Sequence, residues 1–171
     1  MAGTDALSLQ TYRENVAAIL RAVTPAIGQV ESRRGALPAW APNGQDQPAL
    51  WEVYVASVLE TAHLIGPSGR EMLTIRTEGF KPVNYEFRSE DVWDALTKSV
   101  RDTLRHNPTL KVGGVSIATS SLAGGAATAL PQMTANDVVW LDTGIKDLGA
   151  VRCHHAVIDV MVDRIFSWTN V

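Results

Sequence analysis

The chain has 171 residues, enough for one domain with a real core, and its 46% hydrophobic and 19% charged content excludes a disordered polymer. A formal net charge of −3 argues against a free nucleic-acid binder, which needs a basic face that can displace counterions. One cysteine excludes an internal disulfide framework and fits a reducing compartment. No stretch approaches the roughly 20 apolar residues that span a bilayer. The start, Met1-Ala-Gly-Thr-Asp-Ala, lacks the basic and apolar parts of a secretory signal, so the expectation is a protein made and used in cytosol.

Ser8 to Val23 reads as a helix, with Tyr12, Val16, Ile19, Leu20 and Val23 on one face and Thr11 with Glu14 as a capping box at its start. Pro25 and Gly28 end it, and Ala26 to Val30 is a short strand candidate. Glu31 to Pro48 is rich in Pro, Gly, Asn and Gln, with Trp40 its one large apolar residue. Loops of that length inside a domain are usually functional. Trp51, Val53 and Val55 alternate with Glu52 and Tyr54, as in a strand, whereas Ser57 to Leu64 is ambiguous. Gly66-Pro-Ser-Gly69 reads as a turn into a second alternating strand, Met72 to Thr77, which makes an antiparallel hairpin.

Ser89 reads as the N-cap of the clearest helix, with Glu90 and Asp91 in a first turn whose dipole favours acids. Its buried stripe is Val92, Trp93, Leu96, Val100 and Leu104. Arg101, Arg105 and His106 close it before Pro108. A short strand at Val115 to Ala118, a small-residue stretch from Thr119 to Thr134 and a run Val138 to Leu141 lead to the last strand. There Ala156, Ile158, Val160 and Val162 alternate with Asp159 and Asp163, the period of a strand with one buried face. The whole predicts a single α+β domain over 1–171, two amphipathic helices on one face of a mostly antiparallel sheet, with irregular loops at about 31–48 and 119–134.

The last strand also carries Cys153, His154 and His155. Adjacent strand residues point apart, so Cys153 and His155 share a face, roughly 6.5 Å apart along the chain, and His154 takes the other. Zinc would need further ligands, and there is no CxxC and no HxxxH; His63 and His106 have no sequence tie to this strand. A Cys153–His155 thiolate pair needs an exposed, electropositive setting, and a cysteine in an apolar strand is more often inert. Gly66-Pro-Ser-Gly69 lacks the G-x-S-x-G spacing, and neither Gly113-Gly114 nor Gly124-Gly125 continues into a phosphate-binding pattern. These residues therefore read as scaffold: no catalytic, cofactor-binding or metal-ligating residue is assigned, and no cofactor is expected.

Trp51 and Trp93 are in phase with apolar neighbours and read as core. Trp40, Trp140 and Trp168 lie in or beside irregular segments, where a tryptophan either folds back on its own domain or anchors a neighbouring chain. The adjacent pair Arg33-Arg34 reads as a solvated loop and completes the candidate set for a subunit interface.

Three blocks in order carry a resemblance. The first is Val16-Ala-Ala-Ile-Leu-Arg-Ala-Val-Thr-Pro-Ala-Ile-Gly-Gln-Val30. The second runs from Thr74-Ile-Arg-Thr-Glu-Gly79 through Ser89-Glu-Asp-Val-Trp-Asp-Ala-Leu96 to Val100, Leu104, Pro108 and Leu110. The third is Gly149-Ala-Val-Arg-Cys-His-His-Ala-Val-Ile-Asp-Val160, and Trp51-Glu-Val53 adds a smaller match. Together they resemble the tail-terminator and tail-completion proteins of long-tailed bacteriophages over about half the chain; the two long loops do not align. The resemblance implies a structural virion protein rather than an enzyme: a subunit of a homo-oligomeric ring, commonly six-fold, at the head-proximal end of the tail tube. Its implied partners are its own copies, the tail tube protein and the head–tail connector or neck protein, with no membrane and no sequence-specific nucleic acid. Its implied place is the virion tail or neck, after assembly in host cytoplasm. The alternatives are another neck protein, such as a head–tail stopper, and a small metal- or thiol-dependent enzyme using Cys153 and His155.

Overall fold

Period-two apolar positions put one continuous apolar face on three neighbouring strands, and two amphipathic helices close over it. The computed structural model describes residues 9–36, 38, 40, 46–63, 68–86, 88–107, 110 and 138–167. In chain order these form α1 (Leu9–Arg21), β1 (Gln29–Glu31), β2 (Leu50–His63), β3 (Ser68–Pro82), α2 (Ser89–His106), β4 (Val138–Leu148) and β5 (Val151–Ser167). The sheet order is β1-β2-β3-β5-β4, with β1 parallel to β2 and every other pairing antiparallel. The architecture is α+β, as the sequence pattern predicts.

The core lies between helices and sheet. Val16, Ala17 and Leu20 of α1 meet Trp51 and Val53 of β2, Leu73 and Ile75 of β3, and Ala156, Ile158, Val160 and Val162 of β5; α2 adds Trp93, Val100 and Leu104. Trp51 and Trp93 stack at 5.2 Å between ring centroids, 12° from parallel, and the Trp51 indole N–H donates to the Ile27 carbonyl at 3.1 Å. Gly79, opposite Trp51 in the ladder, makes room for that ring: a Cβ there would stand 2.3 Å from it. Gly28 serves the other close approach. Its φ of +121° and its lack of a Cβ let the chain pass the Ala49 carbonyl, which accepts the Gln29 N–H at 2.8 Å and sets β1 beside β2.

Several expectations are corrected. Ser89 is the first helical residue of α2 rather than its cap; Arg88, in the left-handed conformation, holds the cap position without a side-chain bond. The Ser89 hydroxyl is used elsewhere, accepting the Asn84 N–H at 2.7 Å and pairing with His154 Nε2 at 2.8 Å. Val92 is exposed and Thr97 takes its place in the buried stripe, because the sheet lies under Trp93, Thr97, Val100 and Leu104. Thr11 sits inside α1, which begins at Leu9, and Glu14 accepts from the Ser32 hydroxyl at 2.6 Å instead of closing a capping box. The strand expected at Ala26 to Val30 shortens to Gln29–Glu31, while the ambiguous Ser57 to Leu64 continues β2 as far as His63, Leu64 lying outside the described residues. The expected turn at Gly66 to Gly69 is partly strand, since β3 begins at Ser68. The strand at Val115 to Ala118, the stretch from Thr119 to Thr134 and Trp168 lie outside the described residues.

The largest correction concerns β5. The alternation predicts one buried face, yet Cys153 to Val160 are buried on both. The second face of the sheet is closed by the segment after β1 and by ion pairs rather than by helices.

Candidate functional site

On that second face the even residues of β3 stand opposite the odd residues of β5: Arg76 pairs with Asp159, Glu78 with Val157 and Phe80 with His155. β4 joins them through an irregularity between Trp140 and Asp142. Before it Trp140 is opposite Ile158; after it Asp142 is opposite Val157, so the alternation changes phase and Lys146 arrives on the same face as Glu78. Without the extra residue Lys146 would project toward the helices.

Glu78 is the hub of this face and is almost fully buried. Its Oε1 accepts from His155 Nε2 and from Lys146 Nζ, both at 2.8 Å, and its Oε2 accepts from the Tyr54 hydroxyl at 2.7 Å. The His155 bond foremost, with those from Lys146 and Tyr54, holds the Glu78 carboxyl well below the usual carboxylate range against the opposing effect of burial. Burial, then the bond to Glu78, pushes the Tyr54 hydroxyl up to about 12. The donation fixes a proton on His155 Nε2. Beside the hub, Arg76 binds Asp159 through two parallel bonds of 2.8 and 2.9 Å, which raises the guanidinium's pKa further.

The segment after β1 covers this network. The Ala36 N–H donates to Glu52, and the Arg34 guanidinium lies 5.3 Å from the centre of the Tyr54 ring. Trp40 is half-buried, its indole N–H donating to the Pro48 carbonyl at 2.7 Å, so it folds back on its own loop. The far end of the loop is tied by Lys81, a buried lysine whose Nζ donates to Asp46 and to the Gln47 carbonyl, each at 2.7 Å. A hollow of about 440 Å³ remains between loop and sheet, lined by Arg34, Trp40, Glu78, Phe80 and Lys146 among others.

Cys153 and His155 do share a face, as expected, but they do not act on each other. His155 is committed to Glu78, and the Cys153 thiol lies 3.5 Å from the Val151 carbonyl. Burial pushes that thiol up to about 11, far from a thiolate at neutral pH. His154 takes the helix face, 6.3 Å from Trp93 ring to ring, where burial lowers its pKa and favours the uncharged ring. Among the described residues no group of three or more His, Cys, Asp or Glu is placed to hold a metal ion. No described helix is long and apolar enough to cross a membrane.

The structure brings Arg33, Arg34 and Trp40 to one side of the molecule, with Arg34 lining both the hollow beside Trp40 and the hollow beside Arg33 and Tyr54. Trp140 lies in β4 at the opposite margin of the sheet. Sequence reasoning missed Tyr54, Arg76, Glu78 and Lys146. Their signal was the even-numbered Arg76-x-Glu78-x-Phe80 alternation, which gains meaning only when the facing strands and the β4 phase change are known. No protein-family model and no curated protein matches the chain.

Proposed function

We propose that this chain is a subunit of the ring that ends the tail tube of a long-tailed bacteriophage and joins it to the neck. The observation that carries the reading is the order of the three resembling blocks in the sequence. Its support from the fold is where the blocks fall in it. The first holds the end of α1 from Val16, its exit and the start of β1; the second holds Thr74 to Gly79 of β3 and the first turns of α2 with Val100 and Leu104; the third holds the turn from Gly149 and β5 as far as Val160. All three contribute to one core, through Val16 and Leu20, Trp93 and Leu104, and Ala156 and Ile158. The reading is structural: the polar groups of the second face are engaged with one another, holding strands in register rather than awaiting a substrate.

On this reading the ring caps the last layer of tube protein, stops its growth and offers the head-completion proteins a surface. Repeating contact around such a ring joins two unlike patches of each subunit. Electron micrographs of particles assembled without this protein test it: over-long tubes, or heads and tails left unjoined, are expected. Tails of normal length that fail only at joining would make it a stopper-type neck protein. Normal infectious virions would overturn the proposal.

A further inference from the structure

The two margins of the sheet carry opposite charge. At the β1–β2 margin, the start of α1, the segment after β1 and the middle of β2 enclose a hollow of about 420 Å³ lined by four arginines, Arg13, Arg33, Arg34 and Arg76, with Tyr54 and the exposed Leu9. Arg76 is neutralised by Asp159, and Arg33 has Glu31 at 3.9 Å. Among the described residues no carboxylate pairs with Arg13 or Arg34, and the buried Nε of Arg13 has no hydrogen-bond partner. Guanidinium groups converging on a hollow in this way suit a carboxylate-bearing occupant.

At the β4 margin the first turns of α2 present Glu90, Asp91 and Asp94, all exposed. Glu90 and Asp94 rim a second hollow of about 500 Å³ between α2 and β4, beside Tyr85, 87% exposed, and Ile145, 55% exposed. These acids stand where no cation pairs with them among the described residues. The two margins are separated by the full sheet order β1-β2-β3-β5-β4, so the patches cannot meet within one chain.

We infer that the arginine hollow of one copy receives the Glu90–Asp94 face of α2 from a second copy, so that copies join head to tail. Both patches set exposed apolar side chains beside the charges, Leu9 at one and Tyr85 with Ile145 at the other, which supplies area to bury as well as charge to match. Unlike patches that pair repeatedly close into a ring when the rotation between copies allows it. The inference rests on the ring-subunit reading and names its contact.

The test is charge reversal at each margin. One variant carries Arg13→Glu with Arg34→Glu; the other carries Glu90→Arg with Asp94→Arg. Circular dichroism first establishes that each is folded, and the milder pairs Arg13→Gln with Arg34→Gln and Glu90→Gln with Asp94→Asn replace any that is not. Association is read by sedimentation velocity at low salt. Each variant alone should associate about a hundredfold more weakly than the wild-type chain, because like charges then face each other. An equimolar mixture of the two reversal variants, in which every contact is again opposite in charge, should recover the wild-type assembly. For the milder pairs the expected result is a smaller loss with a flatter salt dependence. Variants that assemble like wild type, a mixture that recovers nothing, or a wild-type chain that stays monomeric would each overturn the inference. The tail-length micrographs would still judge the ring reading separately.

Discussion

The two faces of the sheet are buried by different means. On the helix face the contact is mainly apolar packing: Trp51 on Gly79, Trp93 on Trp51, and β5's Ala156, Ile158 and Val160 in one core cluster with residues of both helices. On the other face Glu78, His155, Asp159 and Tyr54 are just as inaccessible, but each is closed by a directed bond. Apolar burial is non-directional and tolerates a slip, whereas a carboxylate with three donors accepts one register only. The helix face therefore supplies most of the stability, and the polar face selects which residues of β3, β4 and β5 stand opposite each other.

That division can be broken from the packing side first. Trp51→Ala removes the largest fully buried side chain and should cost about 3–5 kcal/mol, read as a lower denaturation midpoint in urea. A loss below about 1 kcal/mol would mean that the helices do not depend on this stack. On the polar face, Glu78→Ala leaves His155 and Tyr54 without their acceptor and should cost about 2–3 kcal/mol. An effect as large as that of Trp51→Ala would overturn the assignment of stability chiefly to packing.

Acid sharpens the contrast. Because the folded Glu78 carboxyl is held below its unfolded value, its contribution is complete above the unfolded pKa of about 4.3 and is lost as pH falls toward the folded value. Urea midpoints taken from pH 7 downward should hold until about pH 5 and then decline. In Glu78→Gln the decline should be shallower, since no proton is taken up at that site. Equal acid limbs in the two proteins would show that Glu78 is not held down by its donors.

The smallest expected effect tests a buried hydroxyl on the helix face. Thr77 is fully buried there and its hydroxyl has no hydrogen-bond partner among the described residues. Thr77→Val keeps the shape, removes the orphan and should stabilise by about 1 kcal/mol. A destabilised variant would reveal a partner for that hydroxyl.

The helix face was largely legible in the sequence because packing leaves a period. The spacing of Tyr12, Val16, Ile19 and Leu20, and of Ala156, Ile158, Val160 and Val162, marks residues that are all buried. Val92 misled because it adjoins Trp93 and is apolar, yet falls one step outside the contact stripe. The polar face was not legible. Asp159 reads as a solvent-facing acid, and only its pairing with Arg76, 83 positions earlier, makes it an interior one. Lys146 reaches Glu78 only through the phase change after Trp140, and an extra residue in a strand leaves no periodic trace that a short window resolves. The left-handed Arg88 is likewise silent, since arginine carries no preference for that conformation and Ser89 beside it carries a strong one for capping.

The stacked indoles of Trp51 and Trp93 also give the protein a spectroscopic signature. Two nearly parallel aromatic chromophores 5.2 Å apart share their electronic transitions, so the folded chain should show an exciton couplet in circular dichroism that either tryptophan alone cannot produce. The couplet belongs to the core, whereas the Trp40 ring lies in the covering loop. It therefore reports whether the helix-face core is intact. A change confined to the covering loop, by contrast, should register in the emission of Trp40 while the couplet stays unchanged.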